Sequence, residues 1–269
     1  MPLLNPPHLR LGAGAPLVML PGLSARLGSP LRFSRWMMHR QVRPFALTRS
    51  VWSIDRRSGL ADGTTINDLA EDYARTIRSL FVDPVDVIGI STGGSIALQL
   101  AADYPDLVKR LVLVSSAHRL SDRGRSVQGA TARLLRSGHP RRAAALLLAN
   151  NAHSWLTQLA FGGAGLLFPH LVVGREDRDL LITLDAEDSF DIENRLKAVQ
   201  APTLIAGGAR DRFYSTALFE ATSARIPNCD LLLYRRAGHM SINGNPQLVR
   251  DIKKFFSDRA LPSINRLGD

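Results

Sequence analysis

A single cysteine, Cys229, stands in a chain of 269 residues. An internal disulfide framework and any cysteine-based zinc site are thereby excluded. Long apolar runs are also missing. No stretch of about 18 uninterrupted apolar residues occurs, so no transmembrane helix is expected. The opening Met1-Pro2-Leu3-Leu4-Asn5-Pro6-Pro7 lacks the charged head and apolar stretch of a signal peptide, and a cytoplasmic location is the resulting expectation. Aromatic residues are scarce at 6%, and the 24 acids are outnumbered by 34 Lys and Arg, a formal charge of +10. Nucleic-acid binders interleave basic residues with aromatics. The main arginine cluster here, running from Arg119 through Arg123, Arg125, Arg133 and Arg136 to Arg141 and Arg142, contains no aromatic residue. No nucleic-acid partner is expected, and the excess charge is read as solubility and non-specific attraction. Neither H-E-x-x-H nor another metal-ligand spacing is present, and Gly12-Ala13-Gly14 lacks the third glycine of a dinucleotide loop. Metal and cofactor are both expected to be absent.

Apolar residues make up 45% of the chain and charged residues 22%, a globular balance that can bury its own core at this length. Short apolar runs bounded by turn residues predict strands at about 16–20, 50–54, 85–90, 111–115, 203–206 and 231–234. Between them, Ile66, Leu69, Ala70, Tyr73, Ile77 and Leu80 recur at helical spacing behind Thr65, a candidate N-cap. Further helices are predicted over 95–104, 217–225 and around Leu248, Ile252 and Phe256. Strands alternating with such helices predict an α/β fold, a mostly parallel sheet flanked by helices on both faces. Over 116–197 the alternation stops and the pattern turns helical. The expected organisation is a core of 1–115 and 198–269 interrupted by a helical cap insertion, 116–197, over one end of the sheet. Within it, the glycine-rich 161–169 reads either as a packed loop or as a flexible pocket wall or gate. The tail from Leu261 reads as loose.

Gly89-Ile90-Ser91-Thr92-Gly93 matches G-x-S-x-G, with a predicted strand leading in and a predicted helix leading out. That context turns the pattern into a sharp elbow that exposes the serine hydroxyl above a sheet. A serine hydroxyl needs a neighbouring base to become nucleophilic, and elbow enzymes run in the order Ser, Asp, His. Asp211 follows the predicted strand 203–206 and His239 follows 231–234, so both fall at the strand ends where α/β sheets hold their ligands. Asp185, Glu187, Asp188 and Asp191 are the nearest rival acids. Among the histidines the rival is His118, which comes too early for the order and is read as a pocket-lining group. Developing negative charge on a carbonyl oxygen needs fixed donors. The expected ones are the backbone N–H groups of Thr92 and of Leu23, the latter in the loop Pro21-Gly22-Leu23-Ser24.

With these residues in view the chain resembles the α/β-hydrolase fold superfamily, over about 9–256. Leu17-Val18-Met19-Leu20-Pro21-Gly22 is similar to the family strand ending in His-Gly, with Pro21 in place of the histidine. Asp55-Arg56-Arg57-Ser58-Gly59 is similar to a degraded Asp-x-Arg-Gly-x-Gly loop. Gly89 to Gly94 resembles the nucleophile elbow, while Gly208-Ala209-Arg210-Asp211 and Gly238-His239 resemble the acid and base turns. The resemblance implies a helical cap and a serine hydrolase. Carboxylic ester cleavage through an acyl-enzyme on a small-molecule substrate is the leading expectation. The alternatives are C–C bond or lactone hydrolysis by the same residues, or a non-catalytic binding or accessory protein on the same fold.

Overall fold

The computed structural model describes residues 8–23, 32–152, 155–171, 178–257 and 266–268. Eight strands form one sheet: β1 (His8–Leu11), β2 (Ala15–Leu20), β3 (Arg49–Ile54), β4 (Val85–Ile90), β5 (Val108–Val114), β6 (Thr203–Gly208), β7 (Cys229–Tyr234) and β8 (Arg266–Gly268). Their spatial order is β1-β3-β2-β4-β5-β6-β7-β8, and every pairing is parallel except β1 with β3.

Successive side chains of a strand face opposite ways, and the sequence uses this to build two cores. Val18 and Leu20 of β2 join Val85, Val87, Leu111 and Leu113 on one face. Leu17 and Met19 join Ile88, Ile90, Val112 and Val114 on the other. Three helices, α2 (Ile66–Leu80), α3 (Thr92–Asp103) and α8 (Thr216–Arg225), close the first core. The second is closed by α1 (Arg32–Ala46) and α9 (Pro246–Phe256). Thr65 caps α2 through a reciprocal pair with Asp68, each side chain bonding the other's backbone N–H.

Between β5 and β6 lie α4 (Asp122–Arg136), α5 (Pro140–Asn151), α6 (Trp155–Leu167) and α7 (Arg178–Asp188). The excursion leaves and returns at one place: Arg119 pairs with Asp191 in an antiparallel bridge, and Ile192 N–H donates to the His118 carbonyl at 3.1 Å. Among the described residues no helix is long and apolar enough to cross a membrane.

Two expectations change, and one helix was not anticipated. The first helix was not legible, because Pro44 lies inside it and breaks the sequence pattern; its buried Val42 and Phe45 hold it to the sheet. Most of the tail lies outside the described residues, but Arg266–Gly268 pairs with β7 rather than hanging loose. The 161–169 stretch is no loop either, since it is helical through Leu167. Its Gly165 serves close approach rather than flexibility: a Cβ there would stand 2.5 Å from the Ala145 nitrogen of α5.

Candidate active site

Ser91 follows the last residue of β4 and serves as the N-cap of α3, with φ 52° and ψ −123°. A non-glycine residue at positive φ carries strain of about 1–3 kcal/mol, held only where the surroundings over-determine it. Here the Ser91 N–H donates to the Val114 carbonyl at 2.9 Å, and its own carbonyl accepts from Ser95 N–H at 3.2 Å. The flanking glycines are dictated by backbone contact. A Cβ on Gly93 would lie 2.2 Å from the Leu20 carbonyl oxygen, and one on Gly89 would lie 2.5 Å from the Gly93 oxygen. The G-x-S-x-G spacing is thus a packing requirement at the end of β2.

Asp211 and His239 follow β6 and β7, at the same sheet edge as Ser91. The three sequence-predicted side chains meet. Ser91 Oγ lies 2.9 Å from His239 Nε2, and His239 Nδ1 lies 2.8 Å from Asp211 Oδ2. The other Asp211 oxygen accepts from the backbone N–H groups of Phe213 (2.8 Å) and Tyr214 (3.1 Å), which fixes the carboxylate plane. The Asp211 side chain is fully buried, and that of His239 is 11% exposed. Tyr214 stacks on the His239 ring, with centroids 5.9 Å apart and planes 16° apart. The Ser115 hydroxyl donates to the His239 carbonyl at 3.1 Å, from a residue itself at φ 50°.

Gly22 lies against the elbow: a Cβ there would be 3.4 Å from Ser91 Cβ. The following Leu23 is half-buried and packs on the first core; Ser24, also in the expected loop, lies outside the described residues. Thr92 is buried at the first turn of α3, where helix N–H groups have no intrahelical partner.

Sequence reasoning quoted Arg56 but gave it no role. Its side chain is buried, and its guanidinium donates to the carbonyls of Pro21 (3.4 Å) and Gly22 (3.3 Å). Where Pro21 offers no side-chain donor, Arg56 ties down the loop carrying Leu23. If the Leu23 N–H is the expected oxyanion donor, Arg56→Met lowers kcat roughly 10- to 100-fold with a smaller change in KM, since a donor misplaced by a loosened loop is worth less than one intact. Steady-state kinetics on a p-nitrophenyl ester checks this, and an unchanged kcat would contradict it.

Glu187, considered from sequence only as a rival acid, occupies a different position. It is buried at the end of α7, and its Oε1 accepts from Ser95 Oγ (2.7 Å) and from the Tyr214 hydroxyl (2.8 Å). It therefore braces the base of the elbow helix and the ring stacked on His239. Burial raises its pKa, outweighing the hydrogen bonds from Ser95, Tyr214 and Thr92 and the Arg56 charge. Folding thus favours the neutral acid relative to the unfolded chain. A raised folded pKa means that this group's contribution is complete below the ordinary value of 4.5. It is lost as pH rises through the folded value. Glu187→Gln should flatten the decline in urea midpoint as pH rises above 4.5, and an equal decline in both proteins would contradict this.

The remaining candidates fall elsewhere. Asp185 pairs with Arg136 and Asp191 with Arg119. His118, expected to line the pocket, has its Nδ1 2.8 Å from Thr222 Oγ1 of α8, and its ring neighbours Asp191 and Glu193. Burial holds its pKa down. Metal-donor atoms of His118, Asp191 and Glu193 do lie within 4.8 Å of one another. Arg225 already holds Glu193 at 2.8 Å and Arg119 approaches Asp191 at 3.8 Å, so both carboxylates have cations. Burial pushes the Cys229 thiol up to about 12, which removes it as a nucleophile. In the arginine cluster, Arg123, Arg133, Arg136, Arg141 and Arg142 are exposed.

The model of the alpha/beta hydrolase family matches residues 17–252. A pimeloyl-[acyl-carrier protein] methyl ester esterase from Neisseria meningitidis is 29% identical over 185 residues, covering 66% of this chain and 70% of its own length. A pyrrolizixenacetamide deacetylase from Xenorhabdus hominickii is 22% identical over 227 residues, covering 81% and 85%. Among solved structures, MGS-M2, an alpha/beta hydrolase enzyme from a Medee basin deep-sea metagenome library, superimposes with a TM-score of 0.80. It is 20% identical and covers 94% of each chain.

Proposed function

The chain belongs to the alpha/beta hydrolase family, and from that premise we propose that it cleaves a carboxylic ester through an acyl-enzyme on Ser91. One observation carries the reading: the unbroken hydrogen-bonded line from Ser91 Oγ through His239 to the buried Asp211. With a proton on Nδ1 held by Asp211, His239 Nε2 is free to accept the Ser91 hydroxyl proton. Ser91 Oγ then bonds to the ester carbonyl carbon, and the oxygen's new charge is met by the N–H groups of Leu23 and Thr92. Imidazolium His239 returns the proton to the departing alkoxide. Water, deprotonated by His239, attacks the acyl carbon, and the acid leaves as Ser91 regains its proton.

The stretch α4–α7 acts in this account as a cap over the sheet edge and so belongs to the substrate side. Its closed base supports that role, as does the reach of Glu187 to Ser95 beneath the elbow. Gly124 of α4 is also close to Phe213, where a Cβ would be 2.6 Å from the carbonyl oxygen. The esterase relative supports the ester bond as the target. The test is an acid quench during turnover of p-nitrophenyl acetate, followed by mass spectrometry of the peptides. An acetyl group on Ser91 is expected. Turnover without any acyl adduct on this serine would overturn the reading.

A further inference from the structure

The helix α6, Trp-Leu-Thr-Gln-Leu-Ala-Phe-Gly-Gly-Ala-Gly-Leu-Leu, contains no charged residue, yet it stands in solvent. Eleven large apolar side chains are substantially exposed among the described residues, and seven of them fall between Trp155 and Phe168. At 100° per residue, Trp155, Leu156, Leu159, Leu166 and Leu167 share one outward stripe. Gly163 lies on the same stripe with nothing within 4 Å of where its Cβ would be. Gly165 points away from the stripe, tightly against Ala145 of α5, and Gly162, at the stripe's edge, reaches Ala149 of the same helix. The helix is thus anchored along one side and bare along the other. Trp155 at 68%, Leu159 at 67% and Leu167 at 71% exposure place large rings and branches where water is their main neighbour.

Charge indicates what covers this face. Between Asp122 and Glu176 the sequence has no acidic residue, while it carries seven arginines: Arg123, Arg125, Arg133, Arg136, Arg141, Arg142 and Arg175; of these Arg136 is paired with Asp185. Because α5 and α6 run antiparallel, with Gly165 opposite Ala145, the exposed Arg141 and Arg142 at the start of α5 lie toward Leu167 and Phe168. Among the described residues neither has an acidic partner. A second copy of the chain would bring the same cationic face against itself and is disfavoured by like charge. Thirteen residues make a helix about 20 Å long, well short of the roughly 20 residues needed to span a bilayer. An apolar stripe edged by arginine on so short a helix fits the plane of an anionic lipid surface, with apolar groups among the acyl chains and guanidinium groups at the phosphates.

We propose that the α5–α6 hairpin is a docking surface for an anionic membrane, with Trp155, Leu159 and Leu167 entering the interface and Arg141 and Arg142 meeting lipid phosphates. The test is co-sedimentation of the full chain with vesicles of phosphatidylcholine and phosphatidylglycerol in equal parts, and with vesicles of phosphatidylcholine alone. Binding to the anionic vesicles is expected, weakening as salt rises and falling on the order of tenfold or more on the neutral ones. Two double variants change exposed side chains only: Leu159→Asp with Leu167→Asp, and Arg141→Ala with Arg142→Ala. Each should weaken binding by about tenfold or more, with circular dichroism unchanged. Absence of binding by the unaltered chain, or equal binding by the Leu159→Asp, Leu167→Asp variant, would overturn the proposal. So would a dimer in light scattering that this same variant disperses, since the face would then belong to a second copy.

Discussion

Ser91→Ala is expected to lower kcat for p-nitrophenyl acetate on the order of 10⁴- to 10⁶-fold while leaving the melting temperature nearly unchanged. In the proposed mechanism the size follows from the loss of the atom that forms the covalent bond, which leaves only the donors and binding to act on the substrate. The lack of a stability effect follows from the local structure. Ser91 makes no side-chain cap bond to α3, and its hydroxyl contacts His239 at the open edge rather than a core. Alanine inherits the same positive φ, so the strain is neither added nor relieved. The backbone bonds to Val114 and Ser95 survive as well. Kinetics paired with thermal melting checks both halves, and near-normal turnover by the folded variant would remove Ser91 from the chemistry.

Asp211→Asn should cost about 10⁴ in kcat. The asparagine would keep the two backbone bonds through its carbonyl, from Phe213 and Tyr214. Its amide would then face His239 Nδ1 as a donor and favour the tautomer with the proton on Nε2. That is the wrong nitrogen for accepting from Ser91. The same substitution removes the charge that stabilises the imidazolium. Asp185→Asn and Asp191→Asn should each stay within a few-fold of the unaltered enzyme, because those acids sit with Arg136 and Arg119. Surface ion pairs of this kind are worth at most about 1 kcal/mol. A severe loss in either, with Asp211→Asn harmless, would move the acid away from Asp211.

The sheet was legible because its signal is local: β4 reads as an apolar run closed by the elbow, and the predicted and observed spans coincide at 85–90. Ser91, Asp211 and His239 were legible for a related reason, since each follows a strand and strand ends share one edge. What the sequence concealed depends on contacts across the chain. Arg56 reaches Pro21 and Gly22 from 34 residues or more away, and nothing in its own neighbourhood announces that reach. Glu187 lies 92 residues from Ser95; an acid in a helical pattern reads as a solvated face until the fold buries it. The glycines of α6 were misread because composition alone cannot separate a flexible glycine from one that lets two helices touch.

The central claim is that His239 and Asp211 make Ser91 a nucleophile, and covalent labelling by a fluorophosphonate tests it most directly, because only an activated serine reacts at a useful rate. One adduct per chain is expected, mapped to the peptide containing Ser91, absent in Ser91→Ala and slowed in Asp211→Asn by a factor comparable to its loss in turnover. Failure of the folded protein to label, or an adduct on another serine with Ser91 unmodified, would contradict it.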